Sequence, residues 1–208
     1  MARRSLALAG LIVSLVAGAC GSSHFRYVTS KKTGTYFKVP AEWKVFDQKT
    51  LVDAVKASGG NASPNLLFAS AFDASSKPTL TNVFPQADPP PSQPTGIARV
   101  FALSDADRDA VSLQALRNML VDVDGGVSAQ KVNVLGLTDL APPGGLHGQR
   151  IIYEVQGDNG KFIVDQSTLL DDKARQVWVF AVGCQSACYT SQRSKIDKVV
   201  SSWTVKKR

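Results

Sequence analysis

Histidine and cysteine are scarce in this chain, at two and three residues in 208, and most catalytic and metal-binding constellations need one or the other. His24 and His147 stand far apart in sequence, and neither has marked partners for a triad or a zinc site. There is no Gly-x-Ser-x-Gly, no His-Glu-x-x-His and no His-rich tract. Gly125-Gly126 and Gly144-Gly145 lack the lysine and hydroxyl residue that would follow in a phosphate loop. Asp105-x-Asp107 and Asp122-x-Asp124-Gly125 lack the closing glutamate of a calcium loop, and are better explained as a helix cap and a helix end. Basic residues are not interleaved with stacking aromatics, which argues against nucleic acid as a partner. No catalytic residue, metal or cofactor is expected. His147, within Pro142-Pro143-Gly144-Gly145-Leu146-His147-Gly148, is expected to be an exposed loop histidine.

Long apolar runs are missing too. The longest uncharged opening stretch runs from Ser5 to Ala19 behind Arg3-Arg4. As a helix it would span only about 22 Å at ~1.5 Å per residue, short of a ~30 Å hydrocarbon core. A basic segment, a short apolar run and small residues at its end make a secretory signal. Arg3-Arg4 fits a twin-arginine signal and an ordinary basic n-region alike, so the export route stays open.

Ala17-Gly18-Ala19-Cys20 resembles the lipobox of bacterial lipoproteins, with Ala17 where leucine is usual. The resemblance implies that 1–19 is a signal peptide, that diacylglycerol joins the Cys20 thiol, and that the new amine can also be acylated. Two acyl chains, at ~0.8 kcal/mol per buried methylene, anchor a protein stably. The expected location is the extracytoplasmic face of a cell membrane. Residues 20–24 then form a lipidated tether, and Gly21 to His24 reach about 14 Å at ~3.5 Å per residue. Removal of Arg3 and Arg4 lowers the net charge from +7 to +5. Much of the excess is late, at Arg193, Lys195, Lys198, Lys206, Lys207 and Arg208, where it suits an anionic leaflet or a solvated face equally.

Cys184 and Cys188 are the remaining cysteines. Outside the cytoplasm, two thiols four positions apart are expected to be oxidised to each other, pinning the corner between a strand and the next helix. Redox chemistry would want Cys-x-x-Cys, and a metal would want more ligands.

Residues 25–208 suit one domain by length. Tyr36–Val39 reads as a strand stopped by Pro40. Asp47 is placed to cap a helix over Gln48–Ala57 that ends at Gly59-Gly60. Leu66–Phe72 and Pro78–Phe84 read as strands, followed by an exposed proline-rich loop at 85–96. Gly96–Leu103 restores a strand. Ser104-Asp105-Ala106-Asp107 resembles a capping box opening a helix with Ala110, Leu113, Leu116 and Leu120 on one face. The last third alternates through Lys131–Leu137 and Gln149–Val155. It turns at Gly157-Asp158-Asn159-Gly160, returns over Lys161–Leu170 and runs through Gln176–Gly183. A helix from about Ser191 carries Ile196, Val199, Val200 and Trp203 on one face. Trp43, Trp178 and Trp203 are expected in the core or sheet packing rather than on a sugar platform. The fold class is α+β, an antiparallel sheet with amphipathic helices packed on one face.

Tyr36-Phe37-Lys38-Val39-Pro40-Ala41-Glu42-Trp43 resembles the strand-proline-tryptophan opening of PsbP-like proteins. The stretch from Gly148-Gln149-Arg150 through the hairpins to Val199-Val200-Ser201-Ser202-Trp203 is similar to their closing meander and helix. PsbP is an accessory subunit of photosystem II, and the fold recurs in a nuclear-import factor and in bacterial lipoproteins. The resemblance implies an accessory or binding role without catalysis. Two expectations follow: a membrane-anchored envelope protein that binds a protein or cell-wall partner, or a carrier or sensor of a small apolar ligand or lipid. An open apolar cavity separates them, favouring the second. A hydrolase with an unrecognised site is a third reading.

Overall fold

The computed structural model describes residues 24–83, 89–124 and 131–206. The proposed signal, Cys20 and the first part of the proline-rich loop, 85–88, lie outside the described residues. The main sheet has seven strands, and its centre is its most apolar segment. Strand β9 (Gln176–Gln185) is buried continuously from Val177 to Cys184, as befits a strand covered on both faces. It lies between β5 (Thr95–Ala102) and β8 (Gly160–Asp171). Beyond β5 come β4 (Leu66–Asp73) and β3 (Lys44–Phe46); beyond β8 come β7 (Leu146–Gly157) and β6 (Lys131–Leu140). Every pairing is antiparallel. A second sheet sets β2 (Thr35–Pro40) between β1 (Phe25–Ser30) and β10 (Thr204–Val205).

Period-two alternation sends Phe72, Phe180 and Val182 to one face, and Ala71 and Ala181 to the other. On the first face the aromatics meet Phe37 and Val39 of the small sheet. They also meet Ile196, Val199 and Val200 of α5 (Arg193–Ser202), which follows α4 (Ser186–Ser191). On the second face Leu51 of α1 (Gln48–Ala57) packs near Ile97 and Ala69, while Leu116 of α3 (Leu113–Arg117) packs on Leu170 and Val179. Helices therefore cover both faces, not one. Both faces of β9 are apolar and β8 is buried from Ile163 to Asp171, so each face of the sheet needs a cover.

Local signals set the element ends. Asp47 accepts from the Thr50 amide at 2.8 Å and caps α1. Ser104 and Asp107 form the reciprocal capping box of α2 (Asp105–Ala110). The single helix expected beyond it is broken. Val111 is extended, and Ser112 caps α3 through the Ala115 amide at 3.1 Å, so Leu116 is buried while Leu113 stays half-exposed. The strand expected over Pro78–Phe84 is absent where described, and a 3-10 turn at Thr81–Val83 stands there instead. Its place beside β4 is taken by the short β3. The β7–β8 hairpin closes on the Gly157–Gly160 pair, with Gly160 at φ +126°. Cys184 and Cys188 are bonded, with Cα atoms 5.9 Å apart, across the corner from β9 into α4.

Gly148 pairs with Leu169, and a Cβ added there would fall onto the Thr168 carbonyl and within 2.9 Å of the Leu169 Cα. Backbone cannot yield as a side-chain tip can. Gly148→Ala is expected to cost about 1–3 kcal/mol, seen as a lower urea midpoint at unchanged slope.

Candidate ligand cavity on the second face of the sheet

Toward the β7–β8 hairpin the second face is left partly uncovered among the described residues, because α3 is short and lies over the other end of β8. A cavity of about 290 Å³ opens there. Its floor is Ile97, Tyr153, Val155, Val164 and Ala181, from β5, β7, β8 and β9. Leu120 and Val121, just past α3, form one wall, and Val83 of the 3-10 turn forms another. Pro90, Pro91 and the hairpin residues Asp158 and Asn159 make the rim. The floor and walls are largely apolar residues, while polar atoms make up nearly half of the accessible lining.

Hydrogen bonds hold the walls. Buried Gln166 of β8 donates from Nε2 to the Leu116 carbonyl at 3.0 Å and to the Arg117 carbonyl at 3.2 Å, tying the end of α3 to the sheet. Its Oε1 accepts from the Tyr153 hydroxyl at 3.3 Å. Burial raises the Tyr153 pKa well above the usual tyrosine value, so the floor stays uncharged. The Val123 amide donates to Asn118 Oδ1 at 3.1 Å and shapes the segment after α3. Opposite, the Gln185 amide donates to the Pro91 carbonyl at 2.9 Å, and its side chain donates to the Pro90 carbonyl at 3.0 Å. The described end of the proline-rich loop is thus docked on β9.

The residues singled out from sequence do not converge here. His147 lies in the first residues of β7, half-exposed, with Nδ1 4.0 Å from Asp172 Oδ1, itself exposed. His24 only precedes β1, where its carbonyl accepts from the Ala41 amide. Among the described residues no three His, Cys, Asp or Glu side chains gather as a metal site. Trp43 stacks on Phe72 at 5.6 Å, Trp203 stacks on Phe180 at 5.5 Å, and Trp178 donates from Nε1 to the Thr33 carbonyl at 3.0 Å. All three tryptophans serve packing. Gln166 and Tyr153 drew no notice in the sequence. Gln166 stands in the polar run Asp165-Gln166-Ser167-Thr168, which gives no local sign that the strand is buried from Ile163 to Asp171.

No family model and no curated protein matches the chain. Solved structures do. The cyanobacterial PsbP (CyanoP) of Synechocystis sp. PCC 6803 superposes with a TM-score of 0.52 and 15% identity, over 91% of this chain and 96% of that one. The fold is PsbP-like. At that identity the likeness assigns no residue a role. Two other structures with PsbP-like likeness superpose less closely, both at a TM-score of 0.49. They are the Ran-binding protein Mog1p of Saccharomyces cerevisiae (10% identity, 88% of this chain, 96% of that one) and LpqN, involved in cell envelope biogenesis of Mycobacterium tuberculosis (13% identity, 88% and 91%). Among the described residues of this PsbP-like chain, no helix is long and apolar enough to cross a membrane.

Proposed function

We propose that this chain is a lipid-anchored extracytoplasmic binding protein that performs no chemistry and holds a small, mostly apolar ligand. The open cavity above Tyr153 and Ala181 carries the reading. Cavities near this size with apolar walls and a few polar groups at the mouth are typical small-molecule sites. Tyr153, the titratable group on the floor, is kept neutral by burial and engaged with Gln166, which suits holding rather than reacting. Such a cavity moves the carrier reading ahead of the accessory reading. A protein or cell-wall partner is favoured by a separate feature, the half-exposed Val134, Leu135 and Leu137 of edge strand β6.

Native mass spectrometry of the protein, gently extracted from its own envelope, tests the ligand. A reproducible extra mass of small-molecule size is expected. It should vanish in Ala181→Leu, which fills the floor. A chain carrying only its acyl groups, or arriving with another protein, would overturn the carrier reading. The anchor is tested apart: Cys20→Ser should abolish lipid labelling and release the protein from membranes, whereas a labelled, membrane-bound variant would refute the lipobox.

A further inference from the structure

Arg99 points into a second, smaller cavity. It sits in β5 between Ile97 and Phe101, paired with Ala69 on one side and Val179 on the other. All these neighbours are apolar. The cavity, about 190 Å³, is roofed by Leu51, Val52 and Val55 of α1, with Asn61 and Ser63 of the following loop at its edge. Ile97 lines this cavity and the larger one alike.

The acidic residues of α1 are engaged elsewhere. Asp53 pairs with Lys49 at 2.6 Å, and Asp47 is held by Thr50 as the helix cap. Among the described residues no ion pair or hydrogen bond reaches Arg99. Burial is the cause that lowers its pKa, with no carboxylate opposing it. Charges taken out of water are ordinarily paired, because the desolvation penalty is otherwise uncompensated. The contrast with Arg150 is direct: that guanidinium, also partly buried, meets the Asp165 carboxylate through two hydrogen bonds. Arg99, itself only partly buried, has no such anion.

We infer that Arg99 receives the head of an anionic amphiphile, a carboxylate or phosphate on an aliphatic chain. The planar guanidinium donates in a fork that fits either head. Leu51, Val55 and Phe101 line the cavity beside it and offer apolar surface to the chain. The chain then passes Ile97 toward the larger cavity, so this inference rests on the ligand-carrier reading and names its ligand class.

The test uses the full chain and four probes: dodecanoate, dodecyl phosphate, neutral dodecanol and inorganic phosphate. Affinity is read by calorimetry or native mass spectrometry. Dodecanoate and dodecyl phosphate are expected to bind about tenfold or more tighter than dodecanol, the size of a charge-assisted hydrogen bond. Arg99→Met should erase that preference while leaving dodecanol unchanged. Val55→Glu, on the α1 wall and independent of the strand, should also erase the preference, by giving Arg99 an internal carboxylate. Equal binding of dodecanoate by wild type and both variants would overturn the inference alone. Inorganic phosphate binding as tightly as dodecyl phosphate would overturn the amphiphile and leave a simple anion site. Failure of every aliphatic probe on the wild type would bring down the carrier reading with it.

Discussion

Phe180→Ala is expected to cost about 3–5 kcal/mol, a large share of the ~5–15 kcal/mol that holds a domain together. Phe180 is fully buried on the central strand, where the main sheet, the small sheet and α5 meet. Its ring lies 5.1 Å from Phe37, 6.3 Å from Phe72 and 5.5 Å from Trp203, the last pair stacked at 11°. Removing it leaves three aromatic neighbours without a partner on one side. The sheet backbone beneath them is fixed by hydrogen bonds to β5 and β8 and does not collapse inward. Urea unfolding reads the loss directly, and Phe180→Leu should cost less. A loss below about 1 kcal/mol would mean that the rings close the gap by sliding, contrary to close packing.

Arg150→Met should cost a similar amount, about 3–5 kcal/mol, because it strands a buried carboxylate. Arg150 donates from Nε to Asp165 Oδ1 at 2.8 Å and from Nη2 to Oδ2 at 2.6 Å. The Tyr189 hydroxyl adds a third donor at 3.2 Å. The Asp165 side chain is wholly buried, whereas Arg150 keeps 30% of its own exposed and lies 3.9 Å from Asp197. The two partners are therefore unequal. Without Arg150, Asp165 keeps only the tyrosine; without the Asp165 charge, Arg150 still has water and Asp197. Asp165→Asn is expected to destabilise markedly less than Arg150→Met. Equal losses in thermal or urea unfolding would show that the pair's environment is not as one-sided as the burial implies.

Short-range signals were legible in the sequence. Asp47, the Ser104–Asp107 box and Gly157-Asp158-Asn159-Gly160 each act through hydrogen bonds or dihedrals spanning a few residues, and each does so where expected. The β7–β9 meander was legible for the same reason, since tight turns leave consecutive strands little choice of neighbour. What failed was what depends on distant partners. The two residues of β10 pair with Tyr36 and Thr35 across most of the chain, and no local pattern marks so short a strand. Helices on both faces follow from apolar residues on both sides of β5, which a single strand pattern cannot allot. The cavity was illegible because Val155, Val164 and Ala181 look like any core residues, and it forms only where segments distant in sequence meet around them. Arg99 differs from these. A guanidinium within Thr95–Ala102 contradicts its apolar neighbours, and that contradiction stands in the amino-acid order itself.

Among the described residues strand β6 offers a long open edge, ten residues from Lys131 to Leu140, with apolar side chains half in water. Its pairing with β7 slips between Val134 and Gly136, leaving Leu135 without an opposite residue. The slip also offsets the free side of the strand. A straight incoming strand aligned below Val134 is one residue out of step above Gly136, and its side chains then face the wrong way. The extra residue thus acts as a dislocation that stops the sheet from growing, chain onto chain, into a fibril.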